Sequence, residues 1–179
     1  YEQSLAMRRL IYGDKPHPDF ATCLSNLGVA YDTFGDANKA ITYYEQSLAM
    51  RKLIYNNKPH PGIAIILNNL GLAYGALGDT TKSIDYYEQV LAILKLIYRD
   101  KPHSDIATSL KNLGRAYNAL GDATKAIACC EQSLAMYKLI YGDKPHPDIA
   151  GSLNNLGCAY EALGDANKAI VYCEQSLEP

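Results

Sequence analysis

The residues able to do chemistry recur at one interval. His17, His60, His103 and His146 each follow Lys-Pro and stand 43 residues apart. Imidazole is a common metal ligand, so an even series of histidines suggests a metal array. Spacing argues against it. Neighbouring helix axes lie roughly 8–10 Å apart, and an interval holding two helices keeps successive histidines too far apart to share an ion. A loop or helix-cap role is expected instead. The five cysteines, Cys23, Cys129, Cys130, Cys158 and Cys173, are odd in number and fit no zinc spacing. Cys129 and Cys130 are neighbours that would face different sides of a helix. They read as small apolar side chains in a reducing, cytoplasmic setting. No nucleophile and base recur together, no Gly-rich phosphate loop is present, and the Gly-Asp pairs are turn chemistry. The reading is therefore no enzyme, no cofactor and no metal. What remains is polar recognition: an Asn in every copy (Asn26, Asn69, Asn112, Asn155) and the basic pair Lys111 and Arg115, whose slots hold no basic residue in the other copies.

The elements that position these groups follow from the repeat. Glu2-Gln3-Ser4-Leu5-Ala6-Met7 recurs at 45–50 and 131–136, and Gly28 recurs as Gly71, Gly114 and Gly157. Four copies of 43 residues occupy 172 of the 179, and 21 of the 43 columns are identical in all four. One structural unit therefore repeats. From Pro18, apolar residues fall at Phe20, Leu24, Leu27, Tyr31 and Phe34, a helical spacing. Gly35 suits the position just past a helix end, and Asp36 suits the N-cap of the next helix. The second helix carries Ala40, Ile41, Tyr44, Ser47 and Leu48 and is broken at Asn56-Asn57-Lys58-Pro59. First helices are expected at 18–34, 61–77, 104–120 and 147–163. Second helices are expected at 37–55, 80–98, 123–141 and 166–178, after a partial helix at 1–12. The fold class is all-α, with antiparallel hairpins at 18–55, 61–98, 104–141 and 147–178 stacked in a single array over 1–179. A lone hairpin cannot bury both apolar faces, whereas stacked neighbours can, which makes an α-solenoid, or superhelix.

The bulk numbers exclude several partners. A net charge of -2 leaves no footprint for nucleic acid or a membrane surface. No apolar run reaches the roughly 18 residues of a membrane span. Fifteen tyrosines could stack on bases, but Tyr31, Tyr44 and their equivalents fall on packing faces and basic clustering is absent. The start, Tyr1-Glu2-Gln3, is not a signal peptide and lacks Met, so the chain reads as part of something longer.

Asn26-Leu27-Gly28-x-Ala30-Tyr31-x-x-x-Gly35-Asp36, followed by Ala40-Ile41, Tyr44 and Leu48, resembles the tetratricopeptide repeat. Leu24 stands where that family often has Trp. The usual unit has about 34 residues; this one has 43. The longer form is similar to the repeats of kinesin light chains and nephrocystin-like proteins, which are protein-binding arrays. The resemblance implies a scaffold that binds protein or peptide in a concave groove lined by first helices. The chaperone-type clamp of that family places Lys and Asn in the Ser25 and Val29 slots of its leading repeat, and this chain has neither.

Four slots of the first helix vary widely between the copies. Val29 becomes Leu72, Arg115 and Cys158. Asp32 becomes Gly75, Asn118 and Glu161. Ser25 becomes Asn68, Lys111 and Asn154. Thr22 becomes Ile65, Thr108 and Gly151. Spacings of 3, 4 and 3 put these slots on one helix face, expected to be exposed opposite the apolar stripe. By the resemblance that face is the groove, flanked at each step by Asn26, Asn69, Asn112 or Asn155. Two roles fit that Asn: pairing with the backbone of an extended ligand, or bonding the neighbouring hairpin. Lys111 and Arg115, one turn apart, would receive an acidic residue or a free C-terminus at the third repeat. The alternative function is a structural spacer or self-associating rod. For that reading, apolar residues at the ends, Leu5, Leu10 and Ile11 at one and Ile170 and Leu177 at the other, would drive end-to-end association.

Overall fold

The computed structural model describes residues 3, 7, 13, 15–99, 101–142 and 144–177. Among these are eight α-helices and no strand: α1 Pro18–Phe34, α2 Ala37–Ile54, α3 Pro61–Ala76, α4 Thr80–Tyr98, α5 Ser104–Leu120, α6 Ala123–Tyr141, α7 Pro147–Leu163 and α8 Ala166–Leu177. All eight expected spans hold to within a residue. The helix expected at 1–12, with Leu5, Leu10 and Ile11, lies outside the described residues but for residues 3 and 7. Residue contacts gather the chain into two compact units, Tyr1–Ile93 and Leu94–Pro179.

Each hairpin is closed by the same local chemistry. Gly35 takes a left-handed φ of 88°, and its N–H and that of Asp36 donate back to Asp32 and Tyr31, closing the end of α1. The next residue turns the chain into α2: the Asp36 carboxylate accepts from the Lys39 N–H at 3.1 Å. Asp79, Asp122 and Asp165 do the same for Lys82, Lys125 and Lys168. The histidines explain how the first helices begin. His17 Nδ1 accepts the Asp19 N–H at 3.2 Å, and His60, His103 and His146 repeat that bond at the starts of α3, α5 and α7. A tyrosine five residues upstream braces three of these rings: Tyr55, Tyr98 and Tyr141 stack on His60, His103 and His146 with centroids 3.5 Å apart.

Within a hairpin the helices meet across glycine. A Cβ at Gly28 or Gly71 would overlap the ring of Tyr44 or Tyr87, and one at Gly114 or Gly157 would overlap the sulfur of Cys130 or Cys173. Ser47 and Ser133, fully buried, donate to the Ala21 and Ala107 carbonyls at 2.7 Å, crossing from second helix to first. Between hairpins, α2 packs on α3 and α6 on α7. The Tyr74 hydroxyl reaches back to Glu45 at 3.1 Å, and Tyr160 to Glu131 at 3.3 Å. The fixed Glu slot is therefore an inter-hairpin tie.

Candidate functional site

In the first unit the variable face lies on α1 and α3. Thr22, Asn26, Val29 and Asp32 are exposed, and Ile65 is 60 % exposed. Asn68, Asn69 and Leu72 are half-buried. One expected member is misplaced. Ser25 is buried, and its hydroxyl donates back to the Thr22 carbonyl at 2.9 Å. Its slot is one turn from Ala21 and three residues before Gly28, both in the packed face, so it lies at the edge of the exposed arc.

In the second unit the face lies on α5 and α7. Arg115, Asn154, Cys158 and Glu161 are exposed; Asn112, Asn118 and Asn155 are half-buried. The expected cationic pair is divided. The Lys111 ammonium meets the Asp148 carboxylate of the next hairpin at 2.9 Å and lies over the Tyr137 ring, 5.4 Å from its centroid. Its side chain is 20 % exposed. Lys111 thus has a counter-ion within the protein, and Arg115 is the cation that the face presents to solvent. Spacing along one helix placed the two together; the partner of Lys111 sits 37 residues away on another hairpin. Asn118 presents a buried Oδ1 that, among the described residues, meets no hydrogen-bond donor.

The other candidates are engaged structurally. Each described histidine spends Nδ1 on a backbone N–H, and no group of three or more His, Cys, Asp or Glu side chains among the described residues could hold a metal ion. Burial pushes the Cys130 thiol up to about 12, so it stays protonated and is a poor nucleophile. The tyrosines stack on one another. Tyr31 lies parallel to Tyr43 at 5.4 Å with the Lys39 ammonium over its outer face, and Tyr74–Tyr86–Lys82 and Tyr160–Tyr172–Lys168 repeat that arrangement. In the third hairpin Cys129 takes the place of the second ring, and Lys125 still covers Tyr117. These platforms were not foreseen, although Tyr and Lys at constant slots were their visible signal. No described helix is long and apolar enough to cross a membrane.

The family model described as tetratricopeptide repeat matches residues 1–52, 54–95 and 105–178. Among solved structures, the chain is similar to BtubC (BKLC) from P. vanneervenii, at 26% identity and a TM-score of 0.84, covering 98% of this chain and 68% of that one. It is also similar to a Podosopora anserina putative kinesin light chain with nearly identical TPR-like repeats, at 27% identity and a TM-score of 0.83, covering 98% and 81%. MamA, at 22% identity and a TM-score of 0.64 over 95% of this chain and 82% of that one, shares the fold. A comparison with curated proteins found no match. The fold class is accordingly an α-solenoid of tetratricopeptide hairpins.

Proposed function

We propose that this chain, which belongs to the tetratricopeptide repeat family, binds an extended protein or peptide segment along the variable face of its first helices. Repeats of this family are generally protein-interaction scaffolds and typically not enzymes. The observation that carries the finer reading is where the copies differ. The His, Gly and Asp slots that cap and turn (His17, Gly35 and Asp36 with their equivalents) are identical in all four copies, while slots 22, 29 and 32 with their equivalents change and reach solvent at most steps. A surface kept only for solubility has no reason to combine Val29 and Ile65 in one unit with Arg115 and Asn154 in the other. In the first unit a ligand would set apolar side chains over Val29, Ile65 and Leu72; in the second, an acidic residue or free C-terminus would meet Arg115. Asn112, Asn118 and Asn155 flank that second contact with amides able to donate and accept. The test is selection of peptides from a displayed library on the intact chain, followed by titration. Arg115→Glu should weaken a selected acidic peptide by ten-fold or more at low salt, and Thr42→Glu on α2 should leave it unchanged. Equal effects of the two variants would reject the reading.

A further inference from the structure

The copies share 21 of their 43 columns, and nothing in those shared residues says which hairpin should follow which. Two departures from the shared pattern meet across the junction between the third and fourth hairpins. Lys111 stands in a slot otherwise held by Ser25, Asn68 and Asn154; Gly151 stands in a slot otherwise held by Thr22, Ile65 and Thr108. The two lie close: a Cβ on Gly151 would stand at ordinary contact distance, 3.7 Å from the Lys111 Nζ and 3.9 Å from its Cδ. The missing side chain leaves the passage through which the ammonium reaches Asp148 at 2.9 Å. Tyr137 completes the seat, its ring under the ammonium and its hydroxyl 2.7 Å from Thr108 Oγ1. That slot is Arg51 and Leu94 in the earlier copies.

The junction between the first and second hairpins repeats the logic with other residues. Gly62 is the one glycine in a slot otherwise held by Asp19, Asp105 and Asp148. A Cβ there would lie 2.6 Å from Arg51 Nη1, and the same guanidinium reaches Thr22 at 3.5 Å. Between the first and second hairpins the cation of the upstream hairpin occupies the space that an unusual glycine of the downstream hairpin leaves open; between the third and fourth it runs past the glycine at ordinary contact distance, where a side chain longer than a methyl group would meet it.

We infer that these cation–glycine pairs are order-determining contacts, which select the hairpin that stacks next and disfavour other pairings of the repeats. This goes beyond ligand binding and stands independently of it. Placed against the second hairpin's residues, Lys111 would face isoleucine in place of Gly151 and glycine in place of Asp148. A largely buried ammonium would then lose its counter-ion. Glycine within a helix ordinarily destabilises relative to a residue with a side chain, so Gly151 is retained against local preference.

Thermal unfolding of the full chain tests this through a change of sign. Gly151→Ile, the residue of the second hairpin, should lower the unfolding midpoint by roughly 2–4 °C while Lys111 is present. In a Lys111→Asn background, which uses a residue already found at Asn68 and Asn154, the same substitution should raise the midpoint. Asp148→Asn should likewise destabilise the chain with Lys111 and have a smaller effect without it. Gly151→Ala, whose Cβ fits at contact distance, should raise the midpoint in both backgrounds. If Gly151→Ile shifts the midpoint equally in both backgrounds, or Gly151→Ala lowers it in the Lys111→Asn chain, the inference is overturned.

Discussion

Single residues carry the conformational decisions that punctuate the repeat. The slot of Gly13, Asn56, Arg99 and Gly142 has a positive φ in every copy, of 58°, 51°, 54° and 68°. Glycine adopts it freely and asparagine with modest cost, but arginine pays steric strain of about 1 kcal/mol. Arg99→Gly should therefore stabilise the chain by about 0.5–1 kcal/mol in denaturant titration. A loss of stability would mean that Arg99 makes contacts worth more than its strain. The same scale holds the histidine caps. His103→Ala removes the bond to the Asp105 N–H and the stack on Tyr98, and should cost about 1–2 kcal/mol. His103→Asn, which keeps a capping oxygen, should recover part of that loss. Equal instability of the two variants would place the contribution in the stack alone.

At the scale of elements, the first and second helices approach closely because glycine faces a tyrosine ring in the first two hairpins and a cysteine sulfur in the last two. Gly71→Ala would gain about 1 kcal/mol in helix preference but drive a methyl group into the Tyr87 ring, which is 2 % exposed and has nowhere to move. Overpacking costs about 1–3 kcal/mol, so a net loss is expected, and in a Tyr87→Ala background, where the ring is gone, the same substitution should cost less. A Gly71→Ala chain as stable as the parent would contradict the packing account. The helices themselves were readable in the sequence because caps, turns and apolar period all point to the same boundaries. The candidate face was readable only in part. Periodicity gives an angle around a helix, and Ser25 lies at the margin of the exposed arc, where the neighbouring elements decide burial. Lys111 and Arg115 share a face in sequence, but Asp148 lies on another hairpin, and helical spacing says nothing of contacts between hairpins. The tyrosine platforms were hidden because an aromatic at a constant slot reads as core until its neighbour is known.

At the scale of the molecule, buried tyrosines make the array sensitive to alkaline pH. Burial pushes the Tyr44 phenol from 10.0 up to about 12, with Asp32 adding to the shift, and burial likewise pushes Tyr137 up to about 12. The folded state holds these phenols neutral, whereas the unfolded chain ionises near 10. Their contribution is complete below that value and is lost as pH rises towards 12, so the unfolding midpoint should decline over this window, and less steeply in a Tyr44→Phe, Tyr137→Phe chain. An identical decline in both chains would place the alkaline sensitivity elsewhere. The central claim is that the varied face of the first helices meets a ligand. Amide chemical-shift mapping with a library-selected peptide tests it most directly. The account predicts perturbations concentrated at Thr22, Asn26, Val29 and Asp32 in the first unit and at Arg115, Asn118 and Cys158 in the second. Perturbations gathered instead on the second helices, around Thr42, Asp85 and Ala128, would contradict it.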